Sequence, residues 1–324
     1  MAQKMKTIGV LTSGGDAPGM NAAVRAVVLS AIHKGMKVIG IRNGYHGLLH
    51  DEMSELDAAS VSNTIQNSGT ELYTARCLEF KGQEGVDRGR QACLDKGIDG
   101  IVVIGGDGSF RGARDLSLTG IPCVGIPGTI DNDIASSEYT IGFDTAMNTV
   151  LEMVDRLRDT CTSHHRCSVV EVMGHHCGDI ALQAGIASGA TAILVPERPY
   201  DLQKDVIDKI AASKAAGKRE FIIMVSEGMC DVHEMAKKIQ EATGVETRAT
   251  VLGHVQRGGA PTLRDRLIAS QMGYHAVELL EEGIGNRVVV MQGGRIIDMD
   301  ILEALSMKRD IDDQLLEIGK ALAL

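Results

Sequence analysis

Four glycine-bearing segments, each directly after a short apolar run, carry the residues best suited to chemistry. Ser13-Gly14-Gly15-Asp16-Ala17-Pro18-Gly19 lets backbone amides approach a phosphate, ahead of a helix whose amino end adds partial positive charge. A tight strand-to-helix turn would use the same residues, so both readings stay open. Gly105-Gly106-Asp107-Gly108-Ser109 leaves one carboxylate unshielded between glycines, as a Mg²⁺ ligand requires, and Ser109 brings an amide and a hydroxyl to a helix start. It matches neither G-x-x-x-x-G-K-[ST] nor G-x-G-x-x-G. In Pro127-Gly128-Thr129-Ile130-Asp131-Asn132-Asp133, an extended chain would project Asp131 and Asp133 to one face, where two like charges call for a cation or a partner. That suits a metal plus a general base; a solvated acidic turn is the commoner use of such residues. In Gly253-His254-Val255-Gln256-Arg257-Gly258-Gly259, an extended chain would separate His254 from Arg257, so joint contacts need a bend that the glycines permit.

These segments need strands to end where they begin. Apolar, β-branched runs at Thr7 to Leu11, Lys37 to Ile41, Ile101 to Ile104, Val124 to Ile126, Ser168 to Val172, Ala192 to Val195, Phe221 to Val225 and Thr250 to Leu252 read as strands. Met20 to His33, Asp144 to Asp159, Leu202 to Ala216 and Arg264 to Glu281 have helical period. The alternation predicts an α/β architecture with mostly parallel sheets covered by helices, whose ligands bind beyond the carboxyl ends of the strands. RVVVMQGGRIID reads as a β-hairpin at a sheet edge. Met147 and Met153 fall on a helix with Val150, Val154 and Leu157 and read as core filler; Cys123, Cys167 and Cys177 read as small buried hydrophobes.

Composition narrows the partners. The net charge of −10 over 324 residues excludes nonspecific attraction to nucleic acid or an anionic bilayer, so any phosphate site must be local. With no Trp, five Tyr and four Phe, stacking platforms for single strands are not expected. Seven Cys without a C-x-x-C pair suggest neither a disulfide framework nor a zinc ribbon, and point to a reducing, cytoplasmic setting. No run approaches the roughly 18 apolar residues of a membrane span, and the opening run is too short for a signal peptide.

LTSGGDAPGMNAA, VVIGGDGS, GIPGTIDNDI, TIGFDTA, TSHHR, VEVMGHHCGD and VLGHVQRGG, in this order from about Lys6 to beyond Asp298, resemble the ATP-dependent phosphofructokinase family, specifically its bacterial 6-phosphofructokinases. The resemblance implies two Rossmann-like three-layer domains with the active site in the cleft between them: residues 1–141 with 260–308 binding ATP, and 142–259 with 309–324 binding the sugar phosphate. It implies phosphoryl transfer from ATP, leaving ADP, to the C1 hydroxyl of fructose 6-phosphate with Mg²⁺, in a cytoplasmic homotetramer with sites shared between subunits. The match puts ATP on Gly15, Arg76, Cys77, Gly106, Asp107, Gly108 and Ser109, Mg²⁺ on Asp107 and Asp133, and the proton acceptor at Asp131 beside Thr129. Thr129, Ile130, Arg166, Met173, Gly174, His175, Glu227, Arg248, His254 and Arg257 match the sugar phosphate pocket, where a planar guanidinium meets phosphate oxygens in pairs. Gly108 and Gly128 stand where related pyrophosphate-using enzymes resemble Asp and Lys, which favours ATP over the pyrophosphate-dependent alternative.

Two departures stand out. The family's M-G-R is Met173-Gly174-His175, which puts an imidazole in place of a permanent charge and leaves a weakened sugar phosphate or nucleotide sensor as a further alternative. Of the effector pocket, Arg25, Arg158 and Lys218 remain, with Arg219 nearby. Leu29, Ala58, Thr191 and Ala216 replace residues that are commonly Arg, Arg, Glu and Lys, so weak or absent regulation by ADP or phosphoenolpyruvate is expected.

Overall fold

The structure, a computed structural model, describes residues 5–323. The chain begins β1 (Thr7–Ser13), α1 (Met20–His33), β2 (Lys37–Ile41), α2 (Gly44–Leu49), β3 (Met53–Leu56), α3 (Gln83–Asp95), β4 (Gly100–Gly105), α4 (Asp107–Leu118) and β5 (Cys123–Pro127). It continues through α5 (Phe143–His164), β6 (Cys167–Val172), α6 (Asp179–Ala187), β7 (Ala192–Leu194), α7 (Asp208–Ala215), β8 (Phe221–Ser226), α8 (Val232–Thr243) and β9 (Thr247–Val251). Last come α9 (Leu263–Glu281), β10 (Arg287–Gln292), β11 (Arg295–Asp300), α10 (Ile301–Ser306) and α11 (Asp313–Leu322). Two compact α/β units result: one runs to Ile130 and includes Ile134–Thr145 and Arg257–Arg309, and the other holds Asp131–Asp133, Ala146–Gln256 and the chain from Asp310 on.

The first unit has a seven-stranded sheet in the order β11-β10-β5-β4-β1-β2-β3. Its inner strands are parallel, and β3 and β11 run antiparallel at the two edges. Every residue of β4 is buried, as a central parallel strand covered on both faces demands. Gly273 lets α9 close on α1, because a Cβ there would lie 2.7 Å from that of Ala26. Gly125 likewise makes room for the Phe110 ring, at the centre of a core with Leu11, Ile41, Ile101 and Val103. The hairpin is present at the sheet edge, and both turn residues, Gly293 and Gly294, take positive φ, as a tight two-residue turn requires.

The second unit has four parallel strands in the order β7-β8-β6-β9. Val169, Phe221, Ile223 and Val225 pack against Met235 and Ile239 of α8. Three sequence expectations shift. The last strand spans Thr247–Val251, not Thr250 to Leu252: as an edge strand pairing only with β6 it is half exposed, so its residues do not form an apolar run. The helix expected from Leu202 starts as a π-helical turn, Gln203–Ile207, and becomes α-helical at Asp208. Met147 and Met153 are half-buried, on the flank of the α5 stripe formed by buried Val150 and Val154, whereas Cys123, Cys167 and Cys177 are buried as expected. Among the described residues no helix is long and apolar enough to cross a membrane.

Candidate active site

In the first unit the glycine loops meet because strand ends are adjacent. A Cβ on Gly105 would lie 2.3 Å from the Ser13 carbonyl oxygen and 2.6 Å from Ser109 Oγ, so only glycine lets β4 pass β1 and enter α4. Gly106 caps α4 in an extended conformation, and the amides of Asp107 and Gly108, at the first two helical positions, have no partner within the helix. Gly14, at φ +90°, brings the first loop against Ser109, with its Cβ position 3.5 Å from the hydroxyl oxygen. Thr74 Oγ1 donates to the Gly14 carbonyl at 2.7 Å, and Thr12 Oγ1 donates to the Tyr73 carbonyl at 2.7 Å. These bonds tether the segment bearing exposed Arg76 and half-buried Cys77 to the same corner. Arg257 belongs here too: its guanidinium lies 3.5 Å from where a Gly15 Cβ would stand.

Two groups in this unit were not singled out from sequence. Arg111 donates to Asp107 Oδ2 through Nε at 3.0 Å and an Nη at 2.7 Å, one helical turn on, so the expected metal carboxylate has a resident cation. Asp265, wholly buried, accepts from Tyr139 Oη (2.5 Å), Gly142 N (2.7 Å), Thr145 N (2.9 Å) and Thr145 Oγ1 (2.5 Å). Burial pushes its carboxyl above the usual range against the pull of those donors. The segment it clamps holds Thr129: Thr140 Oγ1 donates to the Thr129 carbonyl at 2.7 Å, and Thr129 N donates to the Ile141 carbonyl at 3.1 Å. Ile130 is buried beside it. The signal for Asp265 was there to read: a carboxylate on the apolar stripe of Ile268, Ala269 and Met272.

In the second unit Asp131 to Asp133 are not an extended run. Asn132 is buried at φ +52°, and its Nδ2 donates to Asp179 Oδ2 at 2.8 Å, so the same-face argument for Asp131 and Asp133 does not hold. Asp133 Oδ2 lies 3.6 Å from Nδ1 of exposed His175. The loop after β6 is shaped by Glu227, whose Oε1 accepts from Gly174 N (3.2 Å) and His175 N (2.8 Å). Gly174 has to be glycine, since its Cβ would fall 2.3 Å from the Cys177 carbonyl oxygen. Met173 N donates to Oε1 of Gln256, a wholly buried side chain. The Gly253 segment makes the required bend as a 3₁₀ turn, Gly253–Arg257, leaving His254 exposed.

Arg166 and Arg248, the arginines expected at the sugar phosphate, share one carboxylate. Arg166 Nε lies 2.8 Å from Glu246 Oε2, and an Nη of Arg248 donates to Oε1 at 2.9 Å. Together they hold Glu246 below the usual carboxylate range, Arg166 most strongly. Two guanidinium groups converging on one anionic group suit a phosphate. Of the residues the resemblance places in an effector pocket, an Nη of Arg158 donates to the Ser188 carbonyl, and burial, then Arg158, pushes the Lys218 ammonium down. Thr191 is wholly buried, and Arg25, in the other unit, is half-buried.

Outside these loops, His46, His50 and Glu79 bring one ligand atom each within 4.8 Å of one another and can hold a divalent metal. Sequence reasoning passed over them.

Glycine loops that meet at a helix amino end in an α/β unit are the arrangement used by phosphate-handling enzymes. The phosphofructokinase family model matches residues 7–280. The ATP-dependent 6-phosphofructokinase of Clostridium botulinum is 55% identical over 319 residues, 98% of this chain and 100% of that protein. That of Bacillus cytotoxicus is 53% identical over 320 residues, 99% and 100%. A solved phosphofructokinase from Saccharomyces cerevisiae superposes with a TM-score of 0.86 at 35% identity, covering 98% of this chain and 48% of that one. The chain belongs to the phosphofructokinase family. A pyrophosphate-dependent phosphofructokinase from Marinobacter aquaeolei, at TM-score 0.86 and 20% identity over 98% of this chain and 92% of that one, shares the fold.

Proposed function

We propose that this chain is an ATP-dependent 6-phosphofructokinase, moving the γ-phosphoryl group of ATP to the C1 hydroxyl of fructose 6-phosphate and releasing fructose 1,6-bisphosphate and ADP. The observation that carries the reading is the tethering of three segments at the β1 and β4 ends, with Thr74 bonded to Gly14 and Gly14 against Ser109. In this reading Gly15, Arg76, Cys77 and the Gly106 to Ser109 turn hold the ATP phosphates. Arg166, Arg248, His254 and Arg257 hold the sugar phosphate, with Thr129, Ile130, Met173, Gly174, His175 and Glu227 around the sugar. Asp131 accepts the C1 hydroxyl proton as that oxygen attacks the γ-phosphorus, and Arg76 spreads the charge of the migrating group. The leaving oxygen remains on ADP.

Asp107 and Asp133 are each hard oxygen donors of the kind Mg²⁺ prefers, so they fit the implied ion; Arg111 pairs with Asp107, and His175 lies beside Asp133. Bound there, Mg²⁺ would neutralise charge on the transferring phosphoryl group. ATP is favoured as donor because the space beside Gly108 is open: a Cβ there meets no atom within 4 Å.

The reading carries a division of labour, with 1–141 and 260–308 serving ATP and 142–259 and 309–324 the sugar phosphate, each a Rossmann-like layered domain. It also carries a cytoplasmic homotetramer with shared sites, and weak control by ADP or phosphoenolpyruvate, because Thr191 and the neutral Leu29, Ala58 and Ala216 supply none of the charged contacts such ligands need. Initial velocities on fructose 6-phosphate with Mg-ATP and with pyrophosphate, with and without ADP, test it. Turnover on ATP alone, hyperbolic and little changed by ADP, is expected; a preference for pyrophosphate overturns the donor, and a sigmoidal curve straightened by micromolar ADP overturns the weak regulation.

A further inference from the structure

His46 and His50 lie one helical turn apart at α2, with ring centroids 4.3 Å apart. Helical spacing of four puts both imidazoles on one face, as in two-histidine metal sites. The third donor comes from a different segment. Glu79 opens a 3₁₀ turn, Glu79–Lys81, and its Oε1 lies 3.6 Å from His50 Nε2. Its other oxygen, Oε2, accepts from Arg88 Nη1 at 3.1 Å, which fixes the carboxylate with Oε1 toward the histidines. A fourth donor is close: Glu52 Oε1 is 3.8 Å from His46 Nε2. Metal bonds of about 2.0–2.2 Å in a tetrahedron separate neighbouring ligands by about 3.5 Å, so these separations need little closing.

We propose that His46, His50 and Glu79 form a site for a borderline divalent metal of the Zn²⁺ class, distinct from the Mg²⁺ of the reaction, which staples α2 to the Glu79 turn. Two imidazole nitrogens and one carboxylate suit Zn²⁺, whereas Mg²⁺ selects oxygen ligands and keeps its water. The staple joins parts already in contact: the Tyr45 ring of α2 stacks on Phe80 at 4.2 Å, and its hydroxyl donates to the Ser109 carbonyl at 2.6 Å. Arg76 and Cys77 lie three and two residues before Glu79, so the metal bears on the segment that the proposed function assigns to ATP.

Equilibrium dialysis of the full chain against Zn²⁺, in millimolar Mg²⁺, tests the site without recourse to turnover. One Zn²⁺ per chain is expected, weakened at least about tenfold in His50→Gln and further in His46→Gln/His50→Gln. Both histidines are at least partly exposed, and thermal unfolding of the metal-free variants should match wild type. Backbone hydrogen exchange over residues 74–81 should slow with Zn²⁺ in wild type and not in the double variant. Unchanged binding in the double variant, loss of binding on thiol alkylation alone, or displacement by millimolar Mg²⁺ would each overturn the assignment.

Discussion

Gly108 separates what the fold needs from what the nucleotide needs. It is the second residue of α4, and a Cβ added there meets no atom within 4 Å, with φ outside the left-handed region. Gly108→Ala should therefore stabilise the helix by up to about 0.5–1 kcal/mol through lost unfolded-state entropy. Gly108→Asp adds a carboxylate to the first turn, worth about 0.3–1 kcal/mol with the helix dipole. Neither change harms the folded chain. In the proposed reading, which puts the ATP phosphates at this turn, the new carboxylate would face them: like charges about 4 Å apart at an effective dielectric of about 20 repel by about 4 kcal/mol, or about a thousandfold in kcat/KM. The assay is kcat/KM for ATP beside urea unfolding for wild type, G108A and G108D. G108A should stay within severalfold of wild type, and G108D should lose about three decades while remaining at least as stable. A G108D that keeps its ATP kcat/KM within about tenfold of wild type would refute the reasoning, since the predicted repulsion is far larger. The matching change at Gly128 is a poorer probe, because a Cβ there sits 3.1 Å from Ile104 Cγ2 and Met20 Cε and disturbs the core itself.

Asp265→Asn leaves one acceptor oxygen for four donors, two of them backbone amides that cannot reverse, so a loss of about 1–3 kcal/mol in urea unfolding is expected, with a fall in kcat through the Thr129 segment; unchanged stability would show that the clamp contributes nothing. Gly174→Ala forces a methyl onto the Cys177 carbonyl oxygen and should raise the KM for fructose 6-phosphate, and a wild-type KM would remove Gly174 from the account. Burial raises the Asp298 carboxyl, but the Arg287 guanidinium at 2.6 Å and His275 outweigh it and leave it below the usual range. The stability it contributes is therefore present above its unfolded pKa of about 3.9 and lost as pH falls through the lower folded value. The melting-temperature gap between wild type and Asp298→Asn should be open at pH 6 and closed in strong acid; a gap independent of pH would contradict it.

The central strands were legible because burial on both faces favours unbroken apolar runs: IVVI of β4 and the buried VV pair of β6 stand out from their surroundings. Of the edge strands, β7 and the hairpin strand β11 were legible, but β3 was not read and β9 was displaced, since each of these two pairs on one side and keeps polar residues. The site loops were visible as glycines after strands, because close backbone approach is a property of residue type. Their internal geometry was hidden, since it depends on partners far along the chain. Asn132 turns because Asp179 receives its amide, and Arg166 meets Arg248 only through Glu246. Such pairings follow from strand register, Ser168 beside Arg248 on neighbouring strands, which no local pattern reveals.

The central claim is that the Asp131 carboxylate takes the proton from the sugar hydroxyl. Single-turnover phosphoryl transfer by Asp131→Asn, with fructose 6-phosphate binding measured on the same sample, tests it most directly. The expected rate is lower by about 10²–10⁴, with sugar phosphate affinity changed no more than about threefold. A near-normal rate would contradict it.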